Sequence, residues 1–339
     1  MSWIKFFKGR VILIVRAQLQ YSFLSSLFAG NGWIVIALVV WGFAIQTQSA
    51  SPSAPERFTV ATYNLENYLT EPKGTRRAKS ESSKAQVRKV LGNIKADILA
   101  LQELGSLEAL DELRRSLAQD GWEYRFSDFV QGWDTNIFVG ILSRFEIASR
   151  RPHTNVSYVL NGRRLHVSRG FAEVDIQVTP QYRLTVMAAH LKSRRTTYVA
   201  DEAQMREQEA IKLREILDQR LASQPRLNLV VLGDLNDSPD SKTIRQLIGR
   251  GKDSLVDLEP FERNGDSYLG QGENGAPRRI SWTHYYSKED SYGRIDYILV
   301  SRGMAAEWER SGSYVVSLPN WGLASDHRPV VAEFVAKER

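Results

Sequence analysis

The chain has 339 residues, of which 42% are hydrophobic and 25% charged, and its formal net charge is +6. This composition excludes a disordered tail and a transporter built of many membrane helices, and the length permits a substantial buried core. The chain has no cysteine, which excludes disulfides, thiolate catalysis and cysteine-ligated zinc or iron–sulfur sites. A basic protein suggests nucleic-acid binding only if the charge lies on its folded part.

Most of the excess positive charge lies at the N-terminus. The first fifty residues contain no acidic residue and four basic ones, Lys5, Lys8, Arg10 and Arg16. Since these are four of 45 basic residues, 41 remain against 39 acidic ones, a net charge of +2 for residues 51–339. The basic charge is therefore evidence about the N-terminal segment more than about the rest of the chain.

An unbroken run of thirteen apolar or glycine residues, 33–45, follows this basic stretch. A signal-peptide core needs about 7–15 apolar residues, whereas a membrane-spanning helix needs about 20. No clean small-x-small cleavage site follows, so residues 1–48 are predicted to be a signal peptide or a membrane anchor, with a buried core helix as the third alternative. Residues 49–56, with Pro52 and Pro55, are predicted to be a linker. Either export route places the remaining domain, 57–339, outside the cytoplasm, secreted or anchored in the cell envelope.

Residues 57–339 alternate between strand-length apolar runs and helical periodicity, without an internal repeat. Helices are predicted around 87–94, 107–117 and 201–222, and a hairpin over 157–167 that turns at Asn161-Gly162. Strands are predicted at 57–63, 98–101, 137–142, 184–189, 227–232, 294–300 and 329–334. Such alternation with interspersed hairpins predicts two packed sheets with helices on their outer faces.

Several of these strand-length runs end in polar side chains that offer oxygen or imidazole nitrogen atoms. Because strand ends converge on a rigid scaffold in α/β folds, we expect these side chains to form one site. Carboxylates and amides suit a hard cation such as Mg²⁺, and two histidines beside them suit hydrolysis of a phosphate ester. The set is Asn64, Glu103, His190, Asp234, Asn236, Asp296, Asp326 and His327.

The motifs that contain these residues resemble, in the same order, those of the endonuclease/exonuclease/phosphatase superfamily. They are Tyr63-Asn64-Leu65-Glu66-Asn67, Leu101-Gln102-Glu103, His190-Leu191-Lys192-Ser193, Gly233-Asp234-Leu235-Asn236, Arg294-Ile295-Asp296-Tyr297 and Ser325-Asp326-His327. The resemblance covers about residues 57–336. It implies a four-layer α/β sandwich, with two mixed β-sheets face to face and helices on the outer faces.

The resemblance further implies a divalent-metal-dependent phosphodiester hydrolase that acts by in-line attack of an activated water. The cation is expected to be Mg²⁺, with Mn²⁺ or Ca²⁺ as alternatives. Glu103 matches the metal-binding glutamate of the family, and Asn64 helps to hold the metal or its waters. Asp326 is expected to be a second metal contact. The number of ions stays open.

The resemblance also assigns catalytic roles to five residues. His327 matches a histidine that is oriented by a carboxylate, here Asp296. Asp234 matches the residue that positions or deprotonates the attacking water, and Asn236 is expected to contact the phosphate. His190 matches a histidine near the leaving group or the phosphoryl oxygens.

The substrate is less strongly indicated than the chemistry. Lys192, Arg194 and Arg195 follow His190 directly and are candidate substrate-binding residues, with a solvent-exposed face as the alternative. Nucleic acid is the favoured substrate, with a sphingomyelinase-like or other phosphatase or phosphodiesterase activity on lipids or small phosphate esters as the alternative. A catalytically inactive binding scaffold is the alternative of another class. The N-terminal segment predicts a membrane partner, and no protein partner is indicated.

Taken singly, most of these residues have an ordinary structural explanation, such as a turn for Asn64 or an exposed strand position for Asp296. The remaining histidines are weaker candidates. His284 is expected in the core or on the surface ahead of the pocket, and His166 on the surface of the hairpin. The glycine pattern at 270–275 is expected to be a flexible loop, because no βαβ context surrounds it.

Overall fold

A computed structural model describes residues 56–262 and 282–337 of the chain. The predicted signal or anchor segment, all but the last residue of the predicted linker, and the glycine pattern at 270–275 lie outside the described residues. Among the described residues, no helix combines the length and the apolar character needed to cross a membrane.

The described residues form seventeen strands and five α-helices, together with two short 3₁₀ turns, Gly251–Asp253 and Trp321–Leu323. The helices are α1 (Glu81–Ile94), α2 (Leu107–Gln119), α3 (Glu202–Ser223), α4 (Lys242–Ile248) and α5 (Arg302–Ala305). The strands are β1 (Arg57–Tyr68), β2 (Ile98–Leu104), β3 (Phe126–Val130), β4 (Phe138–Ser143), β5 (Glu146–His153), β6 (Ser157–Leu160), β7 (Arg163–His166), β8 (Phe171–Gln177), β9 (Arg183–His190), β10 (Leu229–Asp234), β11 (Val256–Asp257), β12 (Phe261–Glu262), β13 (His284–Tyr286), β14 (Ser291–Gly293), β15 (Asp296–Val300), β16 (Trp308–Val315) and β17 (Val330–Val335).

The strands form two large mixed sheets and two hairpins. The first sheet has the order β12-β16-β17-β1-β2-β4-β3, and the second has the order β11-β15-β10-β9-β8-β5. In each sheet one central pair is parallel, β1 with β2 and β9 with β10, whereas most other pairs are antiparallel. The hairpins are β6-β7 and β13-β14.

Three apolar clusters divide the domain into four layers. The central cluster lies between the sheets and takes Val60 and Val230 from their middle strands. The neighbouring residues point the other way, so Ala61 packs with α1 and α2, and Val231 packs with α3 and α4. Because the central strands are buried on both faces, they appear in the sequence as continuous apolar runs. The predicted four-layer α/β sandwich is confirmed.

Local signals in the sequence account for the element boundaries. The side chains of Ser80, Ser106 and Asp201 accept hydrogen bonds from backbone N–H groups in the first turns of α1, α2 and α3. At the tip of the β6-β7 hairpin, Asn161 and Gly162 have φ angles of 51° and 71°. These positive values are those of a type I′ turn, as the sequence predicts.

Candidate active site

Three of the candidate residues form a row across neighbouring strands of the second sheet. Asp234, at the end of β10, is the register partner of His190 on β9 and of Asp296 on β15. The Nε2 atom of His190 lies 3.4 Å from Oδ2 of Asp234, and all three residues are buried. The ends of two parallel strands and the start of an antiparallel one therefore bring a histidine and two carboxylates together.

Gly233 explains why this row is so closely spaced. Its φ angle is +143°, and a β-carbon at this position would lie 1.8 Å from the carbonyl oxygen of Ala189 on β9. Only glycine permits this approach of the two backbones. The glycine of the Gly-Asp-Leu-Asn motif thus positions Asp234 next to His190.

Asn64 connects the first sheet to this row. Its Nδ2 atom donates a 2.9 Å hydrogen bond to Oδ2 of Asp234, and its Oδ1 atom accepts one from the backbone N–H of Glu66. Asn64 therefore makes the turn contact typical of asparagine and a contact between the two sheets at once. The site lies at one edge of the sandwich, where β1 and β10 face each other.

His327 reaches the same carboxylate from the loop before β17. Its Nδ1 atom lies 2.9 Å from Oδ2 of Asp296, and its Nε2 atom lies 3.8 Å from Oδ2 of Asp234. The hydroxyl of Ser325 donates to the carbonyl oxygen of Asn64 and accepts from the backbone N–H of His327. The buried hydroxyl of Thr283 accepts from the backbone N–H of Asp296. Both ends of the His327–Asp296 pair are therefore held in place.

Burial and neighbouring charges give the two site histidines opposite protonation preferences. Burial, together with the positive charge of Arg169, lowers the pKa of His190 well below its ordinary value. Burial acts in the same direction on His327, but the Asp296 and Asp234 carboxylates outweigh it and raise the pKa of His327 well above its ordinary value. Burial raises the pKa of Asp234 to about 6. The site thus holds a neutral imidazole and an imidazolium on either side of one carboxylate.

Glu103 lies at the end of β2 in a left-handed backbone conformation, with a φ angle of 65°. Its Oε2 atom accepts a 2.9 Å hydrogen bond from the backbone N–H of Asn67 and lies 3.3 Å from Nη1 of Arg76. Arg76 also donates to the side-chain amide oxygen of Asn67. Glu103 is thus not the first residue of α2, for which Ser106 is the cap, and its carboxylate is held by Asn67 and Arg76.

Asp326 and His284 form the outer part of the site. Oδ1 of Asp326 lies 3.8 Å from Nε2 of His327, and Oδ2 of Asp326 lies 3.6 Å from Nε2 of His284. The rings of His284 and His327 are 4.5 Å apart between centroids. The core or surface position expected for His284 is therefore wrong, because the β13-β14 hairpin brings this half-buried side chain to the site.

Within residues 56–262 and 282–337, two groups of side chains have ligand atoms that lie close enough to share a metal ion. One comprises Asp234, Asp296 and His327, and the other His284, Asp326 and His327, with the ligand atoms of each group within 4.8 Å of one another. The buried Oδ1 atom of Asp296 has no hydrogen-bond partner within the described part of the chain. Buried carboxylates are stabilised by nearby positive charge, which His327 supplies in part, and their oxygen atoms are of the kind that a hard divalent ion prefers.

The basic residues after His190 are placed less directly at this centre. The Nζ atom of Lys192 donates to the carbonyl oxygens of Ser193 and Arg195 in its own loop. Arg194 is largely exposed and lies 3.6 Å from Asp237, and Arg195 donates to the hydroxyl of Thr75. Lys192 therefore supports the loop, whereas the two arginines lie at its rim.

Asn236 follows Asp234 in a left-handed conformation with a φ angle of 56°. Its backbone N–H donates to Oδ1 of Asp234, and its side-chain Nδ2 donates to the carbonyl oxygen of Leu191. Asn236 therefore connects the ends of β9 and β10, directly beside the row of catalytic candidates.

Sequence reasoning did not identify three further residues near the site, namely Arg76, Arg169 and Glu66. Arg76 binds Glu103, and Nη1 of Arg169 donates to the carbonyl oxygen of Leu191, next to His190. Glu66 accepts a hydrogen bond from the backbone N–H of Asp326. Of these, Glu66 belongs to a motif that the sequence singled out, and Arg76 belongs to a basic stretch, 76–89, that the sequence assigns to a solvent-exposed face. The two arginines come from loops, where no periodic pattern points to them.

Comparison with known proteins agrees with the fold. No curated protein sequence matches the chain. Solved structures do match: sphingomyelinase C from Streptomyces griseocarneus has a TM-score of 0.56 and 20% identity, over 82% of this chain and 99% of that one. The human Nocturnin catalytic domain has a TM-score of 0.58 and 16% identity, over 83% and 95% of the two chains. The 3′-5′ exonuclease NExo from Neisseria meningitidis has a TM-score of 0.55 and 20% identity, over 82% and 100%.

These likenesses in structure establish the fold, and the sequence establishes the family. The family described as Endonuclease/Exonuclease/phosphatase matches residues 61–327, a span that includes every candidate site residue from Asn64 to His327. The chain therefore belongs to the Endonuclease/Exonuclease/phosphatase family.

Proposed function

We propose that this protein is a divalent-metal-dependent phosphodiester hydrolase with a nuclease-like activity. The observation that carries the proposal is the convergence of His190, Asp234 and Asp296 across three strands, with Asn64 and His327 reaching the same carboxylate from the other sheet. Phosphoester hydrolysis is also the chemistry that the family supports. Metal dependence and the nucleic-acid substrate are our inference.

The residues around this centre fit a hard divalent cation such as Mg²⁺. Glu103, Asn64 and Asp326 offer the oxygen ligands that such an ion prefers. Asp326 belongs to a group with His284 and His327 whose ligand atoms lie within 4.8 Å of one another, and Asn64 contacts the buried Asp234. When bound, the cation would supply charge neutralisation on the phosphoryl oxygens and a lowered pKa for a bound water. Mn²⁺ and Ca²⁺ remain alternatives to Mg²⁺.

The side chains themselves are placed to handle the proton and the developing charge. Asp234 lies between both histidines and can accept a proton from a water that attacks phosphorus in line with the leaving oxygen. His327, oriented by Asp296 as an imidazolium, can donate a hydrogen bond to the phosphoryl group. His190 lies on the opposite side of Asp234, where its Nε2–H can stabilise the leaving group or a phosphoryl oxygen. The amide of Asn236 lies beside these groups and is our candidate for a phosphate contact.

Substrate profiling tests this proposal. The full-length protein is assayed on plasmid DNA, RNA, sphingomyelin vesicles and bis(p-nitrophenyl) phosphate, with Mg²⁺ or with a chelator, beside His327→Ala. We expect chelation and the substitution each to abolish turnover, and DNA or RNA to be cleaved. Turnover that survives both treatments contradicts the mechanism. Cleavage of sphingomyelin alone supports the lipid alternative, and no turnover of any substrate supports the inactive binding scaffold.

The cellular location is a second proposal, supported by the basic residues and the apolar run of the N-terminal segment. We propose that the chain is exported, secreted or anchored in the cell envelope, with the catalytic domain outside the cytoplasm. Fractionation of cells that express the full-length chain tests it, with N-terminal sequencing to detect cleavage. Recovery of the uncleaved protein in the soluble cytoplasmic fraction contradicts it.

A further inference from the structure

A cleft of about 520 Å³ is lined in part by Lys192, Ser193 and Arg195, which belong to the segment that follows His190. Its walls come from the loop between β3 and β4, from β7, from the segment after His190 and from the loop around Arg76. Arg76 lines this cleft and binds Glu103, the expected metal ligand. Arg76 and the segment after His190 therefore connect the cleft to the proposed phosphate site.

An aromatic pair forms one wall of this cleft. The indole of Trp133 stacks on the imidazole of His166, with 4.0 Å between ring centroids and 5° between ring planes. Trp133 is nevertheless 64% exposed, an unusual degree for a tryptophan. Since His166 covers one face of the indole, the exposed area includes the other face. That face is a free stacking surface on a supported ring.

The loop that carries Trp133 is held tightly in place. A β-carbon at Gly132 would lie 2.2 Å from the carbonyl carbon of Arg169, so only glycine allows this approach of the two backbones. The backbone N–H of Asp134 donates to the carbonyl oxygen of Ser168, and its carboxylate lies 3.5 Å from Nε of Arg169. Trp133 is therefore presented by a fixed backbone, and its exposure is not the result of a loose loop.

The same wall is connected to the catalytic row through buried side chains. Glu209 on α3 accepts hydrogen bonds from Ser168 through Oε1 and from the backbone N–H of Lys192 through Oε2. Arg169 donates to the carbonyl oxygen of Leu191, which follows His190. The distance from the aromatic pair to the catalytic histidine is thus set by a continuous chain of contacts.

The charge of the cleft is strongly one-sided, although residues 51–339 carry a net charge of only +2. Among the described residues that line it, one is a carboxylate, Asp134, and six are basic, namely Lys73, Arg76, Arg164, Arg169, Lys192 and Arg195. A groove that combines such charge with an exposed aromatic ring is suited to a polyanion with flat apolar groups.

We propose that this cleft binds an unpaired nucleotide next to the scissile phosphate, with its base stacked on Trp133 and its backbone phosphates beside Arg164 and Arg195. This inference rests on the proposed function and specifies its substrate as single-stranded nucleic acid. A duplex cannot present a base face to Trp133 without unstacking that base. A lipid chain is disfavoured, since basic and polar side chains make up most of the lining.

Binding to a strand that is not cleaved tests the inference without requiring turnover. Fluorescein-labelled oligothymidylate is titrated against the full-length His327→Ala protein by fluorescence anisotropy, with and without Trp133→Ala. Base–aromatic stacking contributes about 1–3 kcal/mol per base, so the affinity should fall about 5- to 150-fold. Trp133→Phe should retain most of the affinity, because it keeps a stacking face. Thermal unfolding of each variant reports whether it folds.

Two substrates and two arginine variants separate stacking from general charge effects. An abasic strand of equal length should bind more weakly and should be insensitive to Trp133→Ala, and a blunt duplex should behave in the same way. Arg164→Ala should weaken binding and reduce its salt dependence. The matched control is Arg163→Ala, which removes the neighbouring exposed arginine of the same hairpin, outside the cleft lining. It should leave the affinity unchanged.

The inference is overturned if Trp133→Ala weakens binding of the normal and abasic strands equally, or if the duplex binds as tightly as the single strand. Binding to sphingomyelin vesicles that is lost in Trp133→Ala, with no effect on oligonucleotides, also overturns it. Hydrolysis of bis(p-nitrophenyl) phosphate, which carries no base, reports on the proposed function separately. Failure of the parent protein to hydrolyse this compound, DNA or RNA, with base-dependent binding intact, contradicts the catalytic proposal and leaves the binding site supported.

Discussion

The pairing of His327 with Asp296 allows the proposed mechanism to be tested by a substitution that changes a single side-chain atom. Asp296→Asn keeps the size of the side chain but replaces the carboxylate that lies 2.9 Å from Nδ1 of His327. Asp296 and His327 are almost completely buried, with exposed fractions of 2% and 5%, so water cannot solvate the imidazolium in place of the lost carboxylate. The amide can still contact the ring, but it does not stabilise an imidazolium as a carboxylate does.

A buried hydrogen bond to a charged group contributes about 1.5–3 kcal/mol, and each 1.36 kcal/mol of transition-state stabilisation is tenfold in rate. We therefore expect kcat/KM for bis(p-nitrophenyl) phosphate to fall about 10- to 150-fold in Asp296→Asn. The measurement is steady-state hydrolysis at saturating Mg²⁺, with thermal unfolding as a check on folding.

The matched control is Asp128→Asn, which removes a half-buried carboxylate on β3 whose ionic partner is Arg150. It should leave kcat/KM unchanged. A fall of less than about threefold in folded Asp296→Asn, which is under 1 kcal/mol, would refute the proposed role of the pair.

Three further predictions concern the strand contact, the acid stability and the metal. Gly233→Ala should lower the free energy of unfolding, measured by urea denaturation, by roughly 2–6 kcal/mol through backbone strain and overpacking. The control is Gly92→Ala, which lies in a helix with open space around it and should raise the free energy of unfolding by about 0.5–1 kcal/mol. Burial opposes ionisation of Glu173, but hydrogen bonds from His153 and Arg151 outweigh it and hold its pKa below the ordinary value of 4.5. The stability that ionised Glu173 contributes is complete above pH 4.5 and is lost as the pH falls through the lower pKa of the folded state. We therefore expect Glu173→Gln to flatten the fall of Tm below about pH 4.5, as measured by differential scanning fluorimetry. An unchanged slope would contradict this assignment. Glu103→Gln should raise the Mg²⁺ concentration needed for half-maximal hydrolysis, and equal Mg²⁺ curves for variant and parent would argue against Glu103 as a ligand.

The apolar pattern of the sequence did not predict some strands, and the reason is physical. β8 alternates, with Ala172 and Val174 in the core between the sheets and Glu173 and Asp175 on the other face. The two carboxylates are buried and bind arginines, among them Arg151 of β5. Their partners lie on other elements, so their burial cannot be read from the local sequence. The central strands were predicted because burial on both faces leaves a continuous apolar run.

The sequence by itself determined the order of the central elements and predicted the residues of the candidate site. Strand ends, capping residues and the Asn161-Gly162 turn are local signals, and motifs in the order of the family need no coordinates to be read as a group. The glycine in Gly-Asp-Leu-Asn is a further local signal, although the reason for it, the closeness of Ala189, is visible only in the fold.

Only the tertiary structure decided which surface lies next to that catalytic set. His284 reaches the site because a hairpin folds back on the loop of His327. Trp133, His166 and Arg195 line one cleft although they come from separate segments of the chain. The basic character that the composition attributes mainly to the N-terminal segment is therefore also present locally, beside the catalytic centre. Composition sums charge along the chain, whereas binding depends on charges brought together by folding.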